Sequence, residues 1–382
     1  MNKRIIYLDN AATTWPKPQA VTDAIAGFYH NFTGSQGRAG HGMALKASRE
    51  VFETRELLAE LFNAPDSDRV IFTANATHAI NYSLKGLLKK GAHVICSNME
   101  HNAVYRPLKF LEKSGLIELT VIDFSTDDLF EFEKSIKPNT HAVITTHGSN
   151  VNGTILPIKK IGQICKDKDL TYIVDAAQTA GFIPIDMQRE GIDILVFSGH
   201  KKLYGPTGIG GMCLNKNVDI ETLIHGGTGS KSEWAEHPDF YPDKLEAGTP
   251  NTLGISGLKA GLKYITGLNI NTVREEQSAL INYFTEGLTQ IEEARIYYPA
   301  SYNNRLPLVS LNVRDITSSE LALILDKEYG IMTRAGLHCA PLAHKSLGTF
   351  PQGSVRFSIG LFNTRTDIDF TIESLKKIII KS

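Results

Sequence analysis

The sequence predicts an α/β fold with a mostly parallel central sheet. Three observations carry that reading. Short, continuously apolar runs such as VIFT (70–73), HVICS (93–97) and ILVFSGH (194–200) recur between about residues 45 and 215. Stretches with helical spacing of apolar residues separate them, as at Ala47, Val51, Leu58 and Phe62. Polar, chemically capable residues cluster directly after the apolar runs. Buried parallel strands read as unbroken apolar runs, and parallel pairing needs a crossover element between strands.

In chain order, an amphipathic helix is expected over 44–62, then the strand VIFT and a helix near 77–89. HVICS, LTVIDF (119–124) and HAVITTH (141–147) read as further strands. A helix near 158–168 follows, then the strands TYIVDAAQ (171–178), ILVFSGH and IGGMCLN (209–215). NTLGISGLKAGLKYI (251–265) opens a helical stretch. PLVSLNV (307–313) and SVRFSIG (354–360) alternate like strands of a partly exposed sheet. Neither a repeat nor a low-complexity segment interrupts the chain. A large domain over 16–250 and a smaller α+β C-terminal domain over 251–382 are expected, with residues 1–15 packing against the smaller one.

Composition excludes several classes. The 382 residues are 42% hydrophobic, enough for a large core, and carry a formal net charge of −1. That balance offers no basic field for nucleic acid. No apolar run is long enough for a membrane span, and the run in MNKRIIYLDN is too short for a signal peptide. A cytoplasmic protein is expected. The four cysteines, Cys96, Cys165, Cys213 and Cys339, show no CxxC spacing, so no metal site is expected. The first three read as small buried hydrophobes.

The strand-end residues are the informative ones. Asn75 and Thr77 follow VIFT, and Glu100, His101 and Asn102 follow HVICS. His147 and Asn150 follow HAVITT. Asp175 and Gln178 end YIVDAAQ, and Ser198, His200 and Lys201 end LVFSGHK. Open α/β sheets bind ligands outside the carboxyl ends of their strands. Five strands therefore aim polar groups at one place. The set has no GxSxG elbow, no phosphate loop with a trailing lysine and no GxGxxG. The glycines 205, 208, 210 and 211 read as turn residues.

A lysine facing an aspartate is the pair that pyridoxal phosphate requires. The amine forms a Schiff base with the aldehyde, and the carboxylate keeps the pyridinium nitrogen protonated. An unperturbed lysine is almost entirely charged at pH 7, so an anchoring lysine needs burial or nearby cationic charge. A histidine such as His101 has the flat ring to stack on the cofactor. Thr77 at a helix start suits a phosphate, because free N–H groups and the helix dipole favour an anion there.

These segments together resemble the class V aminotransferase fold, the type I fold of pyridoxal-phosphate enzymes. Within it they resemble the group II cysteine desulfurases and selenocysteine lyases. The resemblance runs nearly end to end, through YLDNAATT (7–14), TANATHAIN (73–81), MEHNAVYRP (99–107), SNVNGT (149–154), VDAAQ (174–178), FSGHK (197–201) and EAGTPN (246–251). It implies that Lys201 is the Schiff-base residue and that Asp175 meets the pyridinium nitrogen. It implies that Gln178 meets the phenolic oxygen and that His101 stacks on the ring. Ala76, Thr77, Ser198 and His200 are implied to hold the phosphate, with Thr249 reaching the phosphate of a partner subunit in a homodimer. Asn150 is implied to border cofactor and substrate, and Ala11 to border the substrate. Because KKLYGPTG holds one residue more than the common pattern, Lys202 is the alternative anchor.

TRAGLHCAPLAHKSLG (333–348) reads as a loop around Cys339, beside Arg334 and His338, whose positive charge would favour a thiolate. It resembles the family segment whose cysteine accepts sulfur. The implied reaction converts L-cysteine to L-alanine, leaves a persulfide on Cys339 and passes the sulfur to an acceptor protein. His101 is implied to shuttle protons as well. Arg356, and Arg334 with it, is implied to bind the substrate carboxylate, for which a guanidinium is suited by its paired donors. The alternatives are a selenocysteine lyase, another lyase or aminotransferase of the same fold, and a non-catalytic scaffold for a sulfur-transfer partner. Ala76 stands where a second threonine is common, Leu337 where a second histidine is common, and HGGTGSKSEWAEHPDF (225–240) is long and polar for the family. The chain reads as a divergent branch.

Overall fold

The computed structural model describes residues 5–31, 34, 40–124, 129–299 and 305–381. Residues 1–4 of the expected N-terminal packing segment lie outside these. Among the described residues, the chain begins with β1 (Ile6–Tyr7), α1 (Gln19–Asn31) and α2 (Gly42–Phe62). Strands and helices then alternate: β2 (Val70–Thr73), α3 (Ala76–Leu87), β3 (Ala92–Ser97), α4 (Asn102–Lys113), β4 (Ile117–Ile122) and α5 (Phe130–Ser135). β5 (Thr140–Thr146), α6 (Ile158–Asp167), β6 (Thr171–Asp175), β7 (Ile194–Ser198) and β8 (Gly210–Leu214) complete this part.

These strands form one seven-stranded sheet in the order β2-β8-β7-β6-β5-β3-β4. All its pairings are parallel except those of β8, which runs against both neighbours. The apolar runs are buried on both faces. One face packs Leu58 and Phe62 of α2 with Ile158, Ile161 and Leu258. The other packs Ile80 and Leu84 of α3 with Val104 and Leu108 of α4. Burying such a side chain contributes about 1.5–3 kcal/mol, which is why the hydrophobic pattern alone locates these elements.

Two of the four glycines expected in turns have another role. Gly208, at φ +79°, does sit in one. Gly210 and Gly211 lie within β8, and a Cβ on Gly210 would stand 2.9 Å from the Asn75 backbone. The missing side chain lets β8 pass beneath the start of α3.

The rest of the chain is α7 (Thr252–Thr266), α8 (Ile270–Thr289), β9 (Ala294–Tyr297), β10 (Leu308–Val313), α9 (Ser318–Ile324), β11 (Ile331–Met332) and β12 (Arg334–Gly336). It ends with α10 (Pro341–Ser346), β13 (Ser354–Ser358) and α11 (Arg365–Lys381). A four-stranded sheet, β12-β13-β10-β9, is antiparallel throughout. β10 and β13 are almost wholly buried, not partly exposed as their alternation predicts. Phe284 of α8 and Ile372 and Leu375 of α11 share a core with Val309 and Phe357. On the other face Ser310 Oγ donates to Val151 O at 2.6 Å, so polar alternate residues meet the large sheet's loops rather than water. The chain start returns here: β1 pairs in parallel with β11, and Ser358 N donates to Leu8 O at 2.7 Å.

Candidate active site

The carboxyl ends of β2, β3, β5, β6 and β7 open on one cavity of about 210 Å³. Loops and helix starts place the side chains. Asn75 caps α3 by accepting from His78 N at 3.0 Å, which sets Ala76 and Thr77 in the helix's first turn at the cavity. First-turn N–H groups have no partner within the helix and face whatever lies ahead of it. His101 caps α4: its Nδ1 accepts from Ala103 N at 3.0 Å, which leaves the proton of the neutral ring on Nε2. Asp175, Gln178, Ser198, His200 and Lys201 line the same cavity, as do Ala11, Asn150 and Arg334 from elsewhere in the chain. Gln178 Nε2 donates to Ala11 O at 2.9 Å, tying the chain start to the end of β6.

The two adjacent lysines part company. Lys201 faces the cavity. Lys202 is buried on the opposite side, where Nζ donates to Gln277 Oε1 at 2.9 Å and to Ile359 O at 3.3 Å, 4.7 Å from the centre of the Phe182 ring. The Lys201 pKa is lowered to about 8, chiefly by burial; Asp175 opposes the fall, and the guanidiniums of Arg356 and Arg334 add to it. Asp175 is itself buried, which raises its pKa; Ala177 N donates to its Oδ1 at 2.9 Å and, with Lys201, limits the rise. Burial, with Lys201 adding to it, pushes His101 down to about 3 and His200 down to about 4, so both rings are neutral at pH 7. His200 Nδ1 is buried with no hydrogen-bond partner. Glu100, fully buried behind the cavity, is raised to about 8 by desolvation.

Cys339 stands beside the cavity rather than in its lining. It is the one partly exposed cysteine; Cys96, Cys165 and Cys213 are buried, as their sequence contexts predict. Arg334 bridges the two places: it lines the cavity, and its Nη2 lies 3.4 Å from Cys339 Sγ. His338 does not supply the second positive charge expected of it. Its ring is buried, and desolvation with the charges of Arg356 and Arg334 holds its pKa near 2. Asn150 Nδ2 donates to His338 O at 2.7 Å, so this side chain borders the cavity while holding the cysteine loop.

Two expected site residues lie apart. Arg356 is fully buried, with Nη2 on Asp9 Oδ1 at 2.7 Å and Nη1 on Asn150 O at 2.9 Å, behind the cavity wall. Thr249 is exposed and outside the lining. Asp9 was missed by sequence reasoning although it lies in YLDNAATT; an acidic residue next to a candidate site was the available signal. A larger concavity, about 760 Å³, is formed by Thr222 and by residues of the long polar segment from His225 to Asp239, and takes in none of the strand-end residues.

The Aminotransferase class-V family profile matches residues 6–370. The chain belongs to that family. Its full-length relatives place it on the cysteine desulfurase branch. It is 33% identical to a probable cysteine desulfurase of Pyrococcus abyssi, over 99% of this chain and 95% of that protein. It is 32% identical to the cysteine desulfurase IscS of Dictyoglomus turgidum, with the same coverage. The apo structure of a cysteine desulfurase from Thermococcus onnurineus NA1 superimposes with a TM-score of 0.92, at 30% identity over 99% of this chain and 95% of that one.

Proposed function

We propose that the protein converts L-cysteine to L-alanine with pyridoxal phosphate and passes the sulfur through Cys339 to an acceptor protein. The observation that carries this reading is the placement of Lys201, Asp175 and His101 around one cavity, with Cys339 joined to its edge through Arg334. The residues fit the cofactor. Asp175 is a buried carboxylate with no ion-pair partner among the described residues, which suits a protonated ring nitrogen. The orphaned His200 Nδ1 and the first turn of α3 suit a phosphate. Ser198, Ala76 and Thr77 add contacts there, Gln178 suits the phenolic oxygen, and the neutral ring of His101 suits stacking.

Bound there, pyridoxal phosphate would hold the substrate amine and accept the electrons released at the α-carbon. Lys201 anchors it and then handles the α-proton at Nζ. With a pKa near 8, about a tenth of its amines are neutral at pH 7, against one in a few thousand for an ordinary lysine. Arg356 and Arg334 attract the substrate carboxylate. Cys339 Sγ, as thiolate, forms a bond to the substrate sulfur while the carbon–sulfur bond breaks. The persulfide stays on Cys339, and the carbon skeleton takes up protons, in part through His101, and leaves as alanine.

We take residues 16–250 as the large domain and 251–382 as the small one, with the cavity where they meet. We take Thr249, which is exposed, to reach the phosphate of a second copy, and the active unit to be a homodimer. None of the helices among the described residues is long and apolar enough to cross a membrane, in keeping with a cytoplasmic enzyme. The test is to quantify alanine and sulfide from L-cysteine and a thiol reductant, for wild type, Lys201→Ala and Cys339→Ala. Equal yields from wild type and none from either variant are expected. No alanine from cofactor-loaded wild type, with L-cysteine or L-selenocysteine, would sink the assignment.

A further inference from the structure

Beside the thiol of Cys339 lies a buried row of side chains to which the reaction above gives no role. Thr349 Oγ is 2.7 Å from His344 Nδ1. His344 Nε2 is 3.1 Å from His338 Nδ1, the two rings 5.2 Å apart. His338 Nε2 is 3.0 Å from the carbonyl oxygen of Arg334. All three side chains are buried, and desolvation keeps both imidazoles neutral, at about 2 for His338 and about 4 for His344.

The far end decides where every proton sits. A carbonyl oxygen only accepts, so His338 carries its proton on Nε2. Its Nδ1 is then a lone pair and must meet a donor, which is His344 Nε2–H. His344 Nδ1 is in turn a lone pair and takes the hydroxyl proton of Thr349. Thr349 Oγ also lies 3.3 Å from His344 O. Turning the hydroxyl there would move the His344 proton to Nδ1 and set two imidazole lone pairs face to face at 3.1 Å. Only one direction satisfies the row.

What the row ends on explains its placement. His338 and Cys339 are consecutive non-glycine residues in the left-handed region, at φ +48° and +57°. Such backbone is strained for a residue with a side chain and persists only where its surroundings hold it. Asn150 Nδ2 holds His338 O, and Asn102 N donates to Cys339 O at 2.6 Å. The imidazole of His338 closes the loop onto Arg334, the residue whose guanidinium touches the sulfur.

We propose that Thr349, His344 and His338 form a one-way chain of hydrogen bonds that holds the strained 334–339 loop, making His344 and Thr349 positioning residues for the Cys339 thiol. Its catalytic consequence rests on Cys339 being the sulfur acceptor; its geometry does not. The test therefore reads the loop directly, on full-length protein with ¹⁵N-labelled histidine. NMR of wild type is expected to show the Nε2–H tautomer on both His338 and His344. Thr349→Val, which keeps the shape and removes the donor, is expected to slow iodoacetamide alkylation of Cys339 about tenfold, the worth of one buried hydrogen bond. The other three cysteines are buried, so the reagent reads Cys339. Thr349→Ser restores the hydroxyl and is expected to restore the rate. An Nδ1–H tautomer on either ring of wild type overturns the proposal, even if the valine variant fails to fold. Wild-type alkylation in a folded Thr349→Val protein overturns it too. The expected tautomers and rates in a protein that makes no alanine would support the loop's positioning while refuting the proposed reaction.

Discussion

Arg356 and Asp9 form an ion pair at 2.7 Å in which the guanidinium is wholly buried and the carboxylate is partly exposed. The arginine expected to receive a substrate carboxylate thus already holds one, from the chain's own first segment. Substrate binding through Arg356 has to displace or share it. Asp9→Asn leaves the buried guanidinium without its counter-charge, and stability is expected to fall by about 3 kcal/mol. The same change removes a competitor, so KM for L-cysteine is expected to fall severalfold with kcat little altered. Thermal unfolding with and without L-alanine checks the link: the ligand should stabilise Asp9→Asn more than wild type. Equal stabilisation would mean that Arg356 does not meet the carboxylate.

Lys201 and Lys202 are adjacent in sequence and serve opposite sides of one turn. Lys202→Met should keep a borohydride-reducible bond to pyridoxal phosphate, and Lys201→Met should lose it. Lys202 also marks the pH curve of stability. Burial lowers its pKa to about 7 from the ordinary 10.5, and its oxygen contacts and the Phe182 ring only partly replace the lost water. A lysine depressed in the folded state contributes its stability above its unfolded value and loses it as pH falls towards 7. Wild type should therefore gain on Lys202→Met as pH rises from 7 to 10, read as the difference in unfolding free energy between the two. A flat difference would show that the buried ammonium costs nothing.

Much of this site is legible in the chain because it sits where periodicity changes. A buried parallel strand is an unbroken apolar run, so the residue that breaks the run, such as Asp175 after YIV or Ser198 after ILVF, is the one at the strand's carboxyl end. Strand direction is not written in such a run, and nothing in IGGMCLN announces that β8 is reversed. The full burial of Arg356 is hidden in the sequence for a related reason. SVRFS alternates as a half-exposed strand would, and its polar face is covered by the loop around Asn150 and by Asp9, both distant in sequence. The row from Thr349 to His338 is short in sequence, yet it exists only because two residues adopt left-handed backbone, which neither His338 nor Cys339 advertises.

His101 combines two tasks that substitution can separate. Its Nδ1 caps α4, and its ring lines the cavity. Asn is a good N-cap, so His101→Asn should unfold within a few degrees of wild type yet lose most activity with the ring. His101→Ala should lose about 1 kcal/mol of stability as well. Because burial and surrounding positive charge hold the ring near 3, the wild-type rate profile should show no ionisation assignable to His101 between pH 5 and 9. A limb in that range that vanishes in His101→Asn would contradict its neutral state.

Glu100 is the deepest acid near the site. Its Oε1 accepts from Thr146 N at 2.7 Å and from the Ser97 hydroxyl, while Oε2 is buried without a partner. Desolvation outweighs these two bonds and raises the group to about 8, with Asp175 adding repulsion. An acid raised on folding contributes stability below its unfolded value of 4.5, and loses it as pH climbs through 8. Glu100→Gln keeps an accepting oxygen for Ser97 and Thr146 and cannot ionise. It should match wild type at pH 5 and exceed it in Tm at pH 9, the gap opening between those values. A variant less stable than wild type by the same margin at both would show instead that the carboxylate, charged throughout, holds the end of β5.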